Sequence, residues 1–173
     1  DLNGNRVERY DVSTSESWDA WTPSLVVDYK ADKDLFYYYS LSRGYKAGGF
    51  NGEGPESAEE AILAFAPEFA LNHEVGVKSQ AFDDRLRLNA AVFFTQYTDM
   101  QNQVWVETGP NTPDDLEVRN GTGEAKGVEL ELTALVTDNF TLTGSYGFID
   151  AEFTDSFEVD GNDLQGNRMR RTP

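Results

Sequence analysis

The chain has 173 residues, with 31 acidic against 14 basic side chains for a formal charge of −17, no cysteine and a single histidine, His73. That balance excludes the basic footprint of a nucleic-acid binder and a polybasic patch for anionic membrane surfaces, and the residue counts exclude a disulfide framework, thiolate chemistry and a His-rich metal site. Aromatics at 13% are too many for a disordered acidic tail, and no stretch reaches the roughly 18 continuous apolar residues of a membrane helix, which leaves strand-crossing membrane proteins open because their alternating strands average out as polar.

Six strands are predicted in chain order from period-2 alternation, which places one set of side chains on each face. The first, near 18–30, sets Trp21, Leu25, Val27 and Tyr29 against Thr22, Ser24, Asp28 and Lys30. After Ala31-Asp32-Lys33-Asp34 the second, near 35–44, sets Leu35, Tyr37, Tyr39 and Leu41 against Phe36, Tyr38, Ser40, Ser42 and Gly44. A long loop near 45–68 follows, in which Ala58–Ala66 predicts a short helix that depends on packing. The third strand, near 70–80, has Leu71, His73, Val75 and Val77 opposed to Asn72, Glu74, Gly76 and Lys78. A Phe82-Asp83-Asp84 turn leads to the fourth, near 85–97, with Leu86, Leu88, Ala90, Val92 and Phe94 opposed to Arg85, Arg87, Asn89, Ala91, Phe93 and Thr95. Beyond a loop near 98–118, the fifth (near 118–136) and sixth (near 139–153) form a hairpin about Thr137-Asp138-Asn139. Its apolar face carries Val128, Leu130, Leu132, Ala134, Val136, Phe140, Leu142, Tyr146 and Phe148, and a last long loop is expected near 154–172.

Short and long connections alternate. The short ones (31–34, 82–84, 137–139) are rich in Asp, Lys and Asn, as tight hairpins prefer, and the long ones in Gly, Pro and acids. All long loops therefore fall at one end of the sheet, the arrangement of a transmembrane β-barrel with short periplasmic turns and long extracellular loops. Charge agrees: the central part of the apolar set has none, whereas the other set holds Asp28, Glu74, Lys78, Arg87, Glu129 and Glu131. A lysine or arginine at mid-depth on a lipid face costs about 2–4 kcal/mol, and a lumen charge stays solvated or paired. An ion pair between Arg87 and Glu129 or Glu131 is expected on the lumen wall. The fold class is all-β, antiparallel and up-and-down: about six strands of a larger barrel, read as a segment of a longer chain. The alternative is a soluble all-β module, such as a sandwich holding carbohydrate or calcium in its long loops, whose apolar face would need a second sheet to cover it.

No catalytic constellation emerges. Glu129 and Glu131 sit two apart on one face, near glycosidase spacing, but read better as a solvated lumen wall. The Gly44–Gly54 stretch has no GxGxxG and no Walker lysine, so a flexible loop outweighs a phosphate cradle. A calcium loop about Gly161 would place Ser156 and Asn167 where Asp and Glu belong. His73 lacks a partner for metal or base chemistry and suits the barrel rim, while Tyr29, Tyr37, Tyr39, Tyr146 and Phe148 suit the aromatic belts at the membrane interfaces better than a ligand stack. No catalytic, cofactor or metal residue is assigned, and the ligand contacts are unknown.

Ser42–Asn51 (SRGYKAGGFN) resembles a strand-to-loop segment in the barrels of TonB-dependent outer-membrane receptors. Three further segments are similar in the order that family uses: Pro67-Glu68 with Asn72–Ser79 (NHEVGVKS), Arg85–Phe94 (RLRLNAAVFF) with Tyr97, Asp99, Met100 and Gln101, and Asn120–Glu129 (NGTGEAKGVE). His73 departs from the pattern, standing where the family usually has an aromatic. The resemblance implies about six strands from the later half of a 22-stranded barrel, closed by an N-terminal plug and C-terminal strands that lie outside these residues. It also implies the bacterial outer membrane, outer-membrane lipid and TonB as partners (TonB through the plug), and TonB-energised uptake of a scarce nutrient such as a ferric siderophore, by binding and not by catalysis.

Overall fold

The computed structural model describes residues 11–52, 57–106, 115–159 and 161–169. In chain order the elements are β1 (Ser24–Asp32), β2 (Leu35–Lys46), β3 (Gly49–Phe50), α1 (Ala58–Ala61), β4 (Ala64–Phe65), β5 (Glu68–Ala81), β6 (Leu86–Val106), β7 (Asp115–Thr137), β8 (Phe140–Phe153), β9 (Glu158–Val159) and β10 (Asn162–Asp163). The six long strands make one antiparallel sheet in the order β1-β2-β5-β6-β7-β8, so each long strand pairs with its neighbour in sequence. Two small ribbons, β3-β4 and β9-β10, belong to the loops.

Register lines the apolar sets of neighbouring strands into rows. One row runs Tyr29, Tyr37, Val77, Ala90, Leu130 and Tyr146; the next toward the long loops runs Val27, Tyr39, Val75, Val92, Val128 and Phe148. These side chains are uncovered: Val92 is 53% exposed, Val75 51% and Tyr146 59%. No second sheet covers this face among the described residues, contrary to what a sandwich requires.

The opposite face is polar and closely fitted. Tyr38 lies opposite Gly76 and Phe93 opposite Gly127. A Cβ on Gly76 would clash with the Tyr38 ring and hydroxyl, and one on Gly127 with the Phe148 carbonyl oxygen and the Phe93 ring, so both glycines are required by a close approach. Each ring lies over bare backbone of the next strand, an arrangement that protects the ladder and pins the register. The Tyr38 hydroxyl donates to Glu74 Oε1 at 2.7 Å, and Lys78 Nζ stands 5.5 Å from the Tyr38 ring centroid.

Four expectations need correction. The second long connection is mostly strand: β6 and β7 keep pairing from Met100↔Gly121 to Val106↔Asp115, leaving only 107–114 outside the described residues. A bulge between Tyr97 and Met100, with Asp99 in the left-handed region (φ 53°), breaks the period there and hides the continuation from an alternation test. The helix expected over Ala58–Ala66 is one turn, Ala58–Ala61, capped by Ser57, whose hydroxyl accepts from Glu60 N–H at 3.1 Å; the chain turns back into β4 instead. Arg87 has no ion pair among the described residues: it sits opposite Thr133, one pair too far toward the turns, and Asn89 donates to Glu131 at 3.2 Å in its place. β1 also begins at Ser24, so Trp21 precedes the strand.

The two faces differ enough for a paired test. Val92→Arg, on the apolar rows, is expected to cost the membrane-inserted protein about 2–4 kcal/mol. Asn89→Arg on the opposite face, beside Glu131, should cost almost nothing. The temperature at which the band shifts in SDS gels reads both, and equal losses would refute the assignment of faces.

Candidate functional site

The long connections gather at one end of the sheet, where the β6–β7 ribbon projects by seven residue pairs, about 23 Å at 3.3 Å per residue, beyond the last pairing with β5 and β8. Chain on both sides of the ribbon folds back against it. From residues 47–68, Ala66 N–H donates to Asn120 Oδ1 at 2.8 Å, and Asn120 Nδ2 donates to the Ala66 carbonyl at 3.0 Å and the Asp99 carbonyl at 2.6 Å. Gln101 Nε2 donates to the carbonyls of Ala47 (2.8 Å) and Ala66 (3.2 Å), while its N–H donates to Glu68 Oε2 at 2.8 Å. Asn51 pairs with both backbone groups of Val118, at 2.8 and 3.3 Å, and so occupies part of the free edge of β7.

Residues 154–159 and 161–169 close on the ribbon through apolar contact. Phe157 stacks on Phe153 at 5.2 Å and 18°, and with Val104 forms the buried apolar cluster, flanked by Met100, Val159, Leu164 and Met169. The segment then returns along β8: Gly166 N–H donates to the Phe153 carbonyl and Met169 N–H to the Ala151 carbonyl, with Arg168 bridged opposite Glu152. Within it the Asp163 carboxylate accepts from Gln165 N–H at 3.0 Å and Phe157 N–H at 3.2 Å. These bonds, the Gln165 one foremost, hold its pKa below the ordinary value.

A band of charge marks where the apolar rows end. Lys126 Nζ lies 3.5 Å from Glu124, 3.9 Å from Asp150 and 3.9 Å from Glu152, and Arg168 reaches Asp150 at 3.7 Å. These side chains share the face of Val92 and Val128, one or two rows nearer the loops. Half-exposed pairs of this kind add little stability. A shallow hollow of about 290 Å³ on the same face is walled by Arg43, Phe69, Gln96, Thr122 and Glu124, with the Arg43 guanidinium carbon 4.1 Å from the Phe69 ring centroid.

The residues weighed from sequence scatter. His73 joins the border row with Leu41, Phe94 and Lys126, and its Nδ1 meets the Tyr39 hydroxyl at 2.9 Å. Glu129 and Glu131 share the polar face, Glu131 held by Asn89. Tyr29, Tyr37 and Tyr146 share one row, Tyr39 and Phe148 the next. In the loop about Gly161 the Asp163 carboxylate faces backbone amides, and no group of three or more His, Cys, Asp or Glu is placed to hold a metal among the described residues. Gln101, Asn120 and Asn51 stand in the segments that resemble the receptor family, but their bracing role is not legible there: amides carry no periodic signal, and their partners lie up to 67 residues away.

The family described as "TonB dependent receptor-like, beta-barrel" matches residues 4–173. The "Metal-pseudopaline receptor CntO" of Pseudomonas aeruginosa is 27% identical over 176 residues, covering 100% of this chain and 22% of that protein. The "Probable TonB-dependent siderophore receptor PiuA" of Acinetobacter baumannii is 25% identical, covering 85% of this chain and 20% of that one. The chain thus spans about a fifth of the length of these relatives. Among solved structures, the ferric yersiniabactin uptake receptor FyuA from Yersinia pestis superposes with a TM-score of 0.63 at 27% identity, over 85% of this chain and 20% of that one.

The Asp163 turn predicts a pH dependence. Its folded pKa is lowered, so its contribution is complete above the ordinary carboxylate value, near 4, and is lost as pH falls through the lowered folded value. Amide-exchange protection of Phe157 and Gln165, corrected for intrinsic rates, should fall in that acid window, and at neutral pH in Asp163→Ala. Unchanged protection in the variant would remove Asp163 from this role.

Proposed function

The chain belongs to the TonB-dependent receptor β-barrel family and is an outer-membrane protein of the Gram-negative type, and from that premise we propose that residues 1–173 are a partial barrel domain supplying six adjacent strands and three loops to a receptor for metal-chelate uptake. One observation carries the reading. The six strands align their apolar sets into uncovered rows and their polar sets on the other face, with every long connection at the same end. Lipid is the solvent that suits such rows, and a wet lumen suits Asp28, Glu74, Lys78, Glu129 and Glu131.

The chemistry this chain supports is binding. The Ser-, Gly- and acid-rich loops around an Asn/Gln-braced ribbon present amide, hydroxyl and carboxylate groups at the loop end. The excess of acids raises the local concentration of cations and disfavours anionic ligands. A metal chelate whose charge is offset by its metal fits that field, and a ferric siderophore is the specific ligand proposed. The relatives' names, metal-pseudopaline and siderophore receptors, support that class. Energy would arrive through TonB acting on a plug domain of the full-length protein.

Deletion of the full-length gene should abolish accumulation of radiolabelled iron supplied as ferric siderophores, and an uncoupler of the inner-membrane proton gradient should do the same in the intact strain. The protein should fractionate with the outer membrane and resist SDS until heated. Uptake of the whole panel unaltered by deletion refutes the iron-chelate ligand; recovery in the soluble fraction refutes the barrel reading itself.

A further inference from the structure

Two adjacent residues of β7 hold chain from opposite sides of the ribbon. In a strand, neighbouring side chains point to opposite faces. Asn120 reaches Ala66 and Asp99, and Gln101, its partner across the ribbon, reaches Ala47 and Ala66 on that same side. Gly121 faces the other way: a Cβ there would stand 3.0 Å from the Phe157 ring and 3.2 Å from Asn102 Nδ2. Its partner Met100 and, beyond Asn102 on that face, Val104 pack in the Phe157 cluster.

We propose that Asn120-Gly121 is a two-sided clasp that makes residues 47–52 and 57–67, the ribbon, and residues 154–159 and 161–169 into one mechanical unit. The means differ on the two sides. Asn120 presents an acceptor and a donor to the N–H and C=O of Ala66, replacing the backbone of an absent strand. Gly121 works by having no side chain, which lets an aromatic ring close on the ribbon. A displacement of any one of the three elements is thereby transmitted to the other two, and Asn120 and Gly121 are positioning residues that need touch no ligand. The significance for uptake rests on the receptor reading above; the clasp itself stands on this geometry, and its test uses no ligand.

The experiment is hydrogen exchange on the full-length receptor purified in detergent. Asn120→Ala should speed exchange about tenfold or more at the Ala66 amide and through residues 47–52 and 64–68, and by a smaller factor through 154–169, with residues 71–79 of β5 unchanged. Gly121→Val should reverse the order, loosening 154–169 most and 64–68 less. If each variant loosens its own side only, the two loops are held independently and mechanical unity is refuted. If Asn120→Ala leaves 64–68 within twofold of the native rate, the clasp is refuted outright. Should either variant also disturb 71–79, Gln101→Ala decides, because it removes only the side-chain bonds to Ala47 and Ala66: faster exchange in both loops upholds the clasp, and any other pattern rejects it. Failure of these outcomes leaves iron-chelate uptake untouched, and failure of uptake leaves the exchange pattern untouched.

Discussion

Backbone hydrogen bonding is the constraint on which the rest depends. Within a bilayer no water satisfies an N–H or C=O, so a strand survives only if both its edges are paired. The register across the six strands is continuous except at Lys30/Asp32, Tyr97/Met100 and Leu135/Thr137. Two of those irregularities lie beside the short turns and one where the ribbon leaves the sheet, so the apolar rows run through uninterrupted ladder. The edges follow the same rule at the other end, where residues 166–169 bond the open side of β8 and Asn51 occupies that of β7.

Once pairing is obligatory, the two faces diverge in what they ask of side chains. The apolar rows need only to be apolar, and Val, Leu, Ala and Tyr succeed one another there without interlocking. The polar face must fit, because Tyr38 over Gly76, and the Phe148 carbonyl together with the Phe93 ring at Gly127, leave no room for a Cβ. Specific packing in this sheet therefore lies on the inward side, and the hydrophobic signal that dominates the sequence lies on the outward side.

The loop end is organised by different forces. Its buried apolar cluster is small, centred on Val104, Phe153 and Phe157, and much of the order comes from amide side chains bonding to backbone. Neutral amides suit this place. They satisfy donors and acceptors together without adding charge to a region already rich in carboxylates, where additional ions would repel one another.

Alternation, turn chemistry and charge segregation determined the six long strands, their antiparallel order, the placement of long connections at one end and the apolar outward set, since each is a local property with a period of two or a tight turn behind it. The resemblance of Ser42–Asn51, Asn72–Ser79, Arg85–Phe94 and Asn120–Glu129 to TonB-dependent receptors added the family. Tertiary structure alone decided that the connection after β6 is a ribbon, that Ala58–Ala61 stops after one turn, that Asn89 and not Arg87 meets Glu131, and that Asn120 and Gly121 hold chain on opposite sides. Each of those depends on register or on a partner distant in sequence. A bulge of one or two residues, invisible to composition, sets which side chains meet, because a one-residue shift moves every side chain to the other face.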